Sequence, residues 1–228
     1  MATEQPNQHQ TQGENVTLPM DESKVQNDKR MRSFMMWASV IAAVIVIGII
    51  VYIYAVRQPA ITNGNDALGQ ANTTLLLQQN DSLALQQYEA VADKYGYDAG
   101  NLAKLNAAIL LYKKGDYEAA AKHLDSYSAS ESVIGAAAAS LQGDCYVNLD
   151  QLDRAAKAYR TAIKRSDDNP HYTPFFMLKL ANVARAQGAY AEEADIYAKI
   201  KHDYPAYGPE NNIDIEKYLK RAEAQAGK

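Results

Sequence analysis

Asn101-Leu-Ala-Lys-Leu-Asn-Ala-Ala-Ile-Leu-Leu-Tyr-Lys-Lys-Gly115-Asp116-Tyr-Glu-Ala-Ala-Ala-Lys-His-Leu124 decides the fold. Leu102, Leu105, Ala108, Ile109, Leu111 and Tyr112 recur at helical spacing, which predicts one amphipathic helix over 101–112. Gly115 stops it, and Asp116 is placed to cap the next helix, whose inward face is Tyr117, Ala120, Ala121 and Leu124. Two helices joined by so short a turn make an antiparallel hairpin.

The hairpin recurs outward in both directions. Downstream, 136–147 with Gly143 and Tyr146 forms a first helix, a turn falls at Asn148–Asp150, and Leu152, Ala155, Ala156, Tyr159 and Ala162 face inward from a second. A third unit opens at Pro174, a residue suited to a first helical turn, where no amide hydrogen is needed. It runs through Phe175, Leu178, Ala181 and Ala184, turns at Gly188 and continues through Tyr190, Ala194, Tyr197 and Ile200 to Pro205. Upstream, Leu75–Leu77 and then Leu83, Ala84, Tyr88, Val91 and Tyr95 read as a degenerate copy. Equivalent points fall near 65, 101, 136 and 174, with the stretches 96–100 and 166–170 taken as loops. A period of this length is the mark of a stacked-hairpin array. Residues 213–226 add a last amphipathic helix, with Ile213, Tyr218, Leu219 and Ala222 inward, to cap the stack.

These units resemble the tetratricopeptide repeat. The likeness rests on Ala108, Gly115, Tyr117 and Ala120; on Gly143, Tyr146, Leu152, Ala155, Tyr159 and Ala162; and on Ala181, Gly188, Tyr190, Tyr197 and Pro205. Small residues where helices cross, with rings filling the space beside them, permit close packing. Two departures stand out: Asp150 replaces the turn glycine, and Glu193 stands where a small residue belongs. The expected fold is all-α: a solenoid of three clear repeats, one degenerate repeat and a capping helix, together with one transmembrane helix.

That membrane segment is 34–56, which contains no charged residue and, as a helix, spans about 34 Å. Phe34 and Trp37 lie at one end and Tyr52 and Tyr54 at the other, as interfacial aromatic residues do. A buried core helix would carry a polar stripe, and a cleaved signal peptide would start nearer the first residue. Lys24, Lys29, Arg30 and Arg32 crowd the N-terminal flank, while Arg57 alone flanks the other before Lys94, so the N-terminus is expected in the cytoplasm. The expected organisation is a disordered cytoplasmic tail (1–33), the anchor (34–56), a flexible linker (57–66) and a domain across the membrane (67–228), which in a bacterium is periplasmic.

Composition narrows the function. A net charge of −4 advertises no phosphate-binding face, so no nucleic acid partner is expected. The single cysteine, Cys145, makes neither an internal disulfide nor a zinc site. Sixteen tyrosines against three phenylalanines suit thin, half-buried helical layers. His9, His123, His171 and His202 share no metal-binding spacing. Asp167-Asp168 and Glu192-Glu193 are sequential, diverge on a helix and read as solvated faces. Asp81 or Ser82 reads as a helix N-cap. The chain is therefore expected to be no enzyme, and to need no cofactor, no metal and no small-molecule substrate.

Binding is expected on the face that the first helices line. The candidates are Asn106, Ile109, Tyr112 and Lys113 from one unit, Asp144, Val147 and Asn148 from the next, and Phe175, Lys179, Asn182 and Arg185 from the third. Amides bond a peptide backbone without reading its side chains, and rings supply rigid apolar contact.

A tail, one anchor, three or four such repeats and a terminal helix together are similar to the YfgM-like family of ancillary Sec translocon subunits, most closely over Tyr97–Ala108 and Gly115–Ala120. The resemblance implies docking beside the translocon in the bacterial inner membrane, with translocon subunits, periplasmic chaperones and emerging or unfolded chains as partners. The alternative is a structural scaffold subunit of another cell-envelope complex.

Overall fold

The computed structural model describes residues 22–129 and 132–227. The expected disordered tail lies outside them except for 22–33, which are helical. The chain divides into two compact units, Met1–Val56 and Arg57–Lys228.

The first unit holds α1 (Glu22–Tyr52), followed by π-helical turns at Ile53–Arg57. Apolar side chains of α1 are exposed on every side, among them Phe34, Trp37, Val44 and Ile47. Among the described residues, one helix is long and apolar enough to cross a membrane, by length and composition.

The second unit is helical hairpins. α2 (Gln58–Leu76) pairs with α3 (Asp81–Lys94), α4 (Tyr97–Lys114) with α5 (Tyr117–Asp125), α6 (Ser132–Asn148) with α7 (Leu152–Arg165), and α8 (Tyr172–Ala186) with α9 (Tyr190–Asp203). The short α10 (Tyr207–Glu210) leads to α11 (Ile215–Ala226), which packs on α9. Asn80, Asp116 and Asp214 cap α3, α5 and α11, their carboxyl or amide oxygens accepting from Leu83, Ala119 and Lys217 at 3.0, 3.2 and 2.9 Å. The cap of α3 is thus Asn80, one residue before the expected position. α4 begins at Tyr97, so the expected loop at 96–100 is mostly its first turn.

The 57–66 stretch is helix and not the expected flexible linker. Pro59 sits in the first turn of α2, directly after the π-helical turns, and Gly64 is buried against the domain. A Cβ on Gly64 would stand 3.2 Å from that of Ala99 and 3.3 Å from that of Tyr95. The glycine that reads as flexibility in the sequence allows a close helix contact instead.

Alanine makes the core thin. Ala84, Ala103, Ala107, Ala108, Ala120, Ala155, Ala162, Ala181 and Ala222 are fully buried, with Tyr88, Tyr146, Tyr159 and Tyr197 filling the space between crossings. Asp150, in place of a turn glycine, adopts φ 56°, the left-handed region that aspartate tolerates better than most residues. Glu193 overturns the expectation of a solvated carboxylate pair. It is 0% exposed, and Arg221 of α11 donates to its Oε1 at 2.6 Å.

Candidate protein-binding face

The first helices of the hairpins are joined by one recurring arrangement. In the α2–α3 unit, Tyr88 donates its hydroxyl to Asn72 Oδ1 at 2.7 Å, and Asn106 of α4 donates to the same oxygen at 3.5 Å. Two units on, Tyr159 donates to Asp144 Oδ1 at 2.6 Å, and Lys179 of α8 reaches both oxygens of Asp144 at 2.7 and 2.6 Å. In each case a polar acceptor on a first helix takes one bond from its own second helix and one from the next first helix. The unit between carries the apolar Ile109, Leu124 and Leu141 at the corresponding positions; Leu124 and Leu141 join the core there, while Ile109 stays exposed.

Asp144 is the centre of the polar cluster. The Lys179 ammonium also lies 5.8 Å from the Tyr159 ring centroid and 5.0 Å from that of Phe175. The side chains of Lys179 and Asp144 are 25% and 22% exposed, enough shelter for the pair to hold its geometry. Burial, with the Asp144 bond and charge beside it, raises the Tyr159 hydroxyl above its ordinary value. Burial likewise raises Tyr112, with Asp144 adding to the rise and a bond to Asn148 opposing it. The Tyr112 ring meets Tyr117 edge-on, centroids 5.3 Å apart.

The expected residues divide in two. Asn106, Tyr112, Asp144 and Lys179 are half-buried and form the joints just described. Ile109, Val147 and Phe175 are 38%, 40% and 43% exposed, large apolar groups that nothing among the described residues covers fully. Lys113, Asn148, Asn182 and Arg185 are exposed around them.

The sequence reading missed a cluster that joins α9 to α11. Tyr197 is raised by burial and by Glu193, while Arg221 and Arg185 both pull it down, so two guanidinium groups converge on one tyrosine. Tyr218 stacks on the Tyr197 ring with centroids 5.6 Å apart. Glu193 and Arg221 lie 28 residues apart in sequence, too far for any local pattern to join them.

Elsewhere, a largely apolar cavity of about 360 Å³ lies between α7, α8 and α9, lined by Ile163, Met177, Leu180 and Ile196 and crossed at its rim by the Arg160–Glu192 pair at 2.6 Å. Cys145 is fully buried, and its thiol is pushed up to about 11, chiefly by that burial, which leaves it protonated at neutral pH. Among the described residues, no three histidine, cysteine or carboxylate side chains gather as metal ligands would.

The family described as tetratricopeptide repeat-like domain matches residues 65–185, more than half of the chain. No curated protein matches it.

Proposed function

The chain belongs to the tetratricopeptide repeat-like domain family, and from that premise we propose that it is a membrane-anchored adaptor at the Sec translocon, akin to the YfgM-like ancillary subunits. Its partners in this reading are translocon subunits, periplasmic chaperones and unfolded or emerging chains. Residues 34–56 anchor it in the bacterial inner membrane. The cations of the N-terminal flank hold residues 1–33 in the cytoplasm, and the domain lies in the periplasm.

One observation carries the binding part. Ile109, Val147 and Phe175 stay more than a third exposed on successive first helices, beside a polar network fixed by Asp144 and Lys179. Exposed apolar groups held on a rigid, hydrogen-bonded face are what an extended polypeptide needs, and no catalytic or small-molecule role is proposed.

Photocrosslinking in cells from Tyr112 and Asn182, with identification of the captured chains, tests it. Translocon subunits, periplasmic chaperones or secretory chains are the expected products. Capture of the protein itself alone, or of one stable envelope complex, would overturn the export-linked role in favour of a scaffold.

A further inference from the structure

The first-helix face is read as a surface for polypeptide; the cavity between α7, α8 and α9 is a separate place and faces away from it. Its floor on α8 is Thr173, Met177 and Leu180, which share one side of the helix by their spacing. Phe175, Lys179 and Asn182 fall on the other side. α8 packs on both α7 and α9, while those two helices scarcely touch, so the space above α8 stays open. Ile163 and Ile196 are its apolar walls.

Both ends of this space are bridged. Arg160 of α7 meets Glu192 of α9 at 2.6 Å, and Tyr204, the residue after α9, donates to Asp168, in the turn after α7, at 3.2 Å. α7 and α9 are both antiparallel to α8 and so run in the same direction. Residues between the two bridges in sequence therefore lie between them in space. The distance from Arg160 to Asp168 makes the cavity about 12 Å long at a helical rise. A polypeptide strand passing along it would have to break the bridges, whereas a short ligand would not. Its volume of about 360 Å³ falls in the range of small-ligand sites.

The charges at the mouth point to a head group. Arg160 is neutralised by Glu192 and Lys199 by Asp203. Asp168 accepts the Tyr204 bond, and Asp195 on the facing wall is already engaged. Lys164 lines the cavity one turn beyond Arg160 and is exposed, with no carboxylate among the described residues at ion-pair distance. The unmet charge is thus a cation beside an apolar floor.

We propose that this cavity binds a free aliphatic carboxylate, its chain laid over Met177 and Leu180 between Ile163 and Ile196 and its carboxylate on the Lys164 ammonium. The ligand is held and not transformed. The chain supplies most of the affinity, each buried methylene being worth about fourfold. An exposed ammonium contributes less and sets the preference among head groups. The site stands or falls without the peptide face.

Met177 is the one methionine after Met36, so its methyl group is a single reporter on the cavity floor. The full-length chain with isotope-labelled methionine methyl groups, in zwitterionic nanodiscs, is titrated with hexanoate, octanoate and octylammonium at free concentrations fixed by dialysis. The Met177 methyl resonance, assigned with Met177→Leu, is followed by NMR. Octanoate is expected to shift it with an affinity about tenfold above that of hexanoate and about threefold above that of octylammonium. Lys164→Glu should reverse the order of octanoate and octylammonium, and its thermal melt should match that of the native chain, since Lys164 is exposed. A Met177 resonance that neither acid moves overturns the site. Octylammonium binding as tightly as octanoate, or a preference unchanged in Lys164→Glu, overturns the carboxylate ligand.

Discussion

Tyr159 and Asp144 are bonded at 2.6 Å, from the second helix of a unit to its own first helix, and the same relationship joins Tyr88 to Asn72 at 2.7 Å. In both places the acceptor is also bonded to the following first helix, so the bond that closes one hairpin also fixes the next. Removing the acceptor should then cost more than removing one donor. Tyr159→Phe is expected to lower stability by about 1 kcal/mol, and Asp144→Ala by about 2 kcal/mol, because the latter leaves Lys179 and Tyr159 both unpaired. Urea unfolding of the two variants and of the double variant measures the difference.

Burial of Tyr159, with the same bond beside it, sets a response to alkali. Tyr159 is raised above its ordinary value of 10.0 in the folded state, so the folded protein holds this proton more tightly than the unfolded chain does. The stabilisation is complete below pH 10 and declines as pH rises beyond it. Unfolding free energy measured between pH 9 and 11.5 should fall more steeply for the native chain than for Tyr159→Phe. Parallel curves would show that this hydroxyl makes no contribution.

Gly143 marks a close approach of α6 to α7. A Cβ there would stand 2.5 Å from Cε1 of Tyr159, inside a ring that is itself buried. Gly143→Ala should therefore cost about 1–3 kcal/mol despite being a favourable change for an isolated helix, since neither element can move aside. A thermal melt showing no loss would mean that the two helices separate freely.

Arg221 offers a different kind of test. Arg221→Met leaves the fully buried Glu193 without a counter-charge and should cost about 3 kcal/mol or more. The double variant Glu193→Leu with Arg221→Met should recover most of that loss, because a carboxylate and a guanidinium are then replaced by apolar groups. Denaturant midpoints for the single and double variants decide it.

The repeats were legible because their signal is local. Ala155, Tyr159 and Ala162 fall on one face of α7 within a few residues, as Ala120, Ala121 and Leu124 do on α5, and Gly115 and Asp116 mark the turn by their own chemistry, including the cap bond to Ala119. What escaped was tertiary. Pro59, Gly64 and two asparagines read as a flexible stalk, yet Gly64 is buried on Ala99 and Tyr95, contacts that no local pattern reveals. Glu193 read as a solvated charge because its partner lies on another helix. The expected binding residues follow from helical register alone. Their division into joints, such as Asp144 with Lys179, and open apolar groups, such as Val147, needed coordinates.

The buried Glu193 also bears on how the chain is made. A polypeptide is synthesised N-terminus first, and its early portions fold while later ones are still being added. α9 can close on α8 as soon as both have emerged, but its carboxylate then has no counter-charge until Arg221 follows 28 residues later. A chain halted between these two residues would leave uncovered the side of α9 that α11 packs on, open to proteases and to non-native partners. α11 thus completes the third unit by supplying both its last cover and the counter-charge of Glu193.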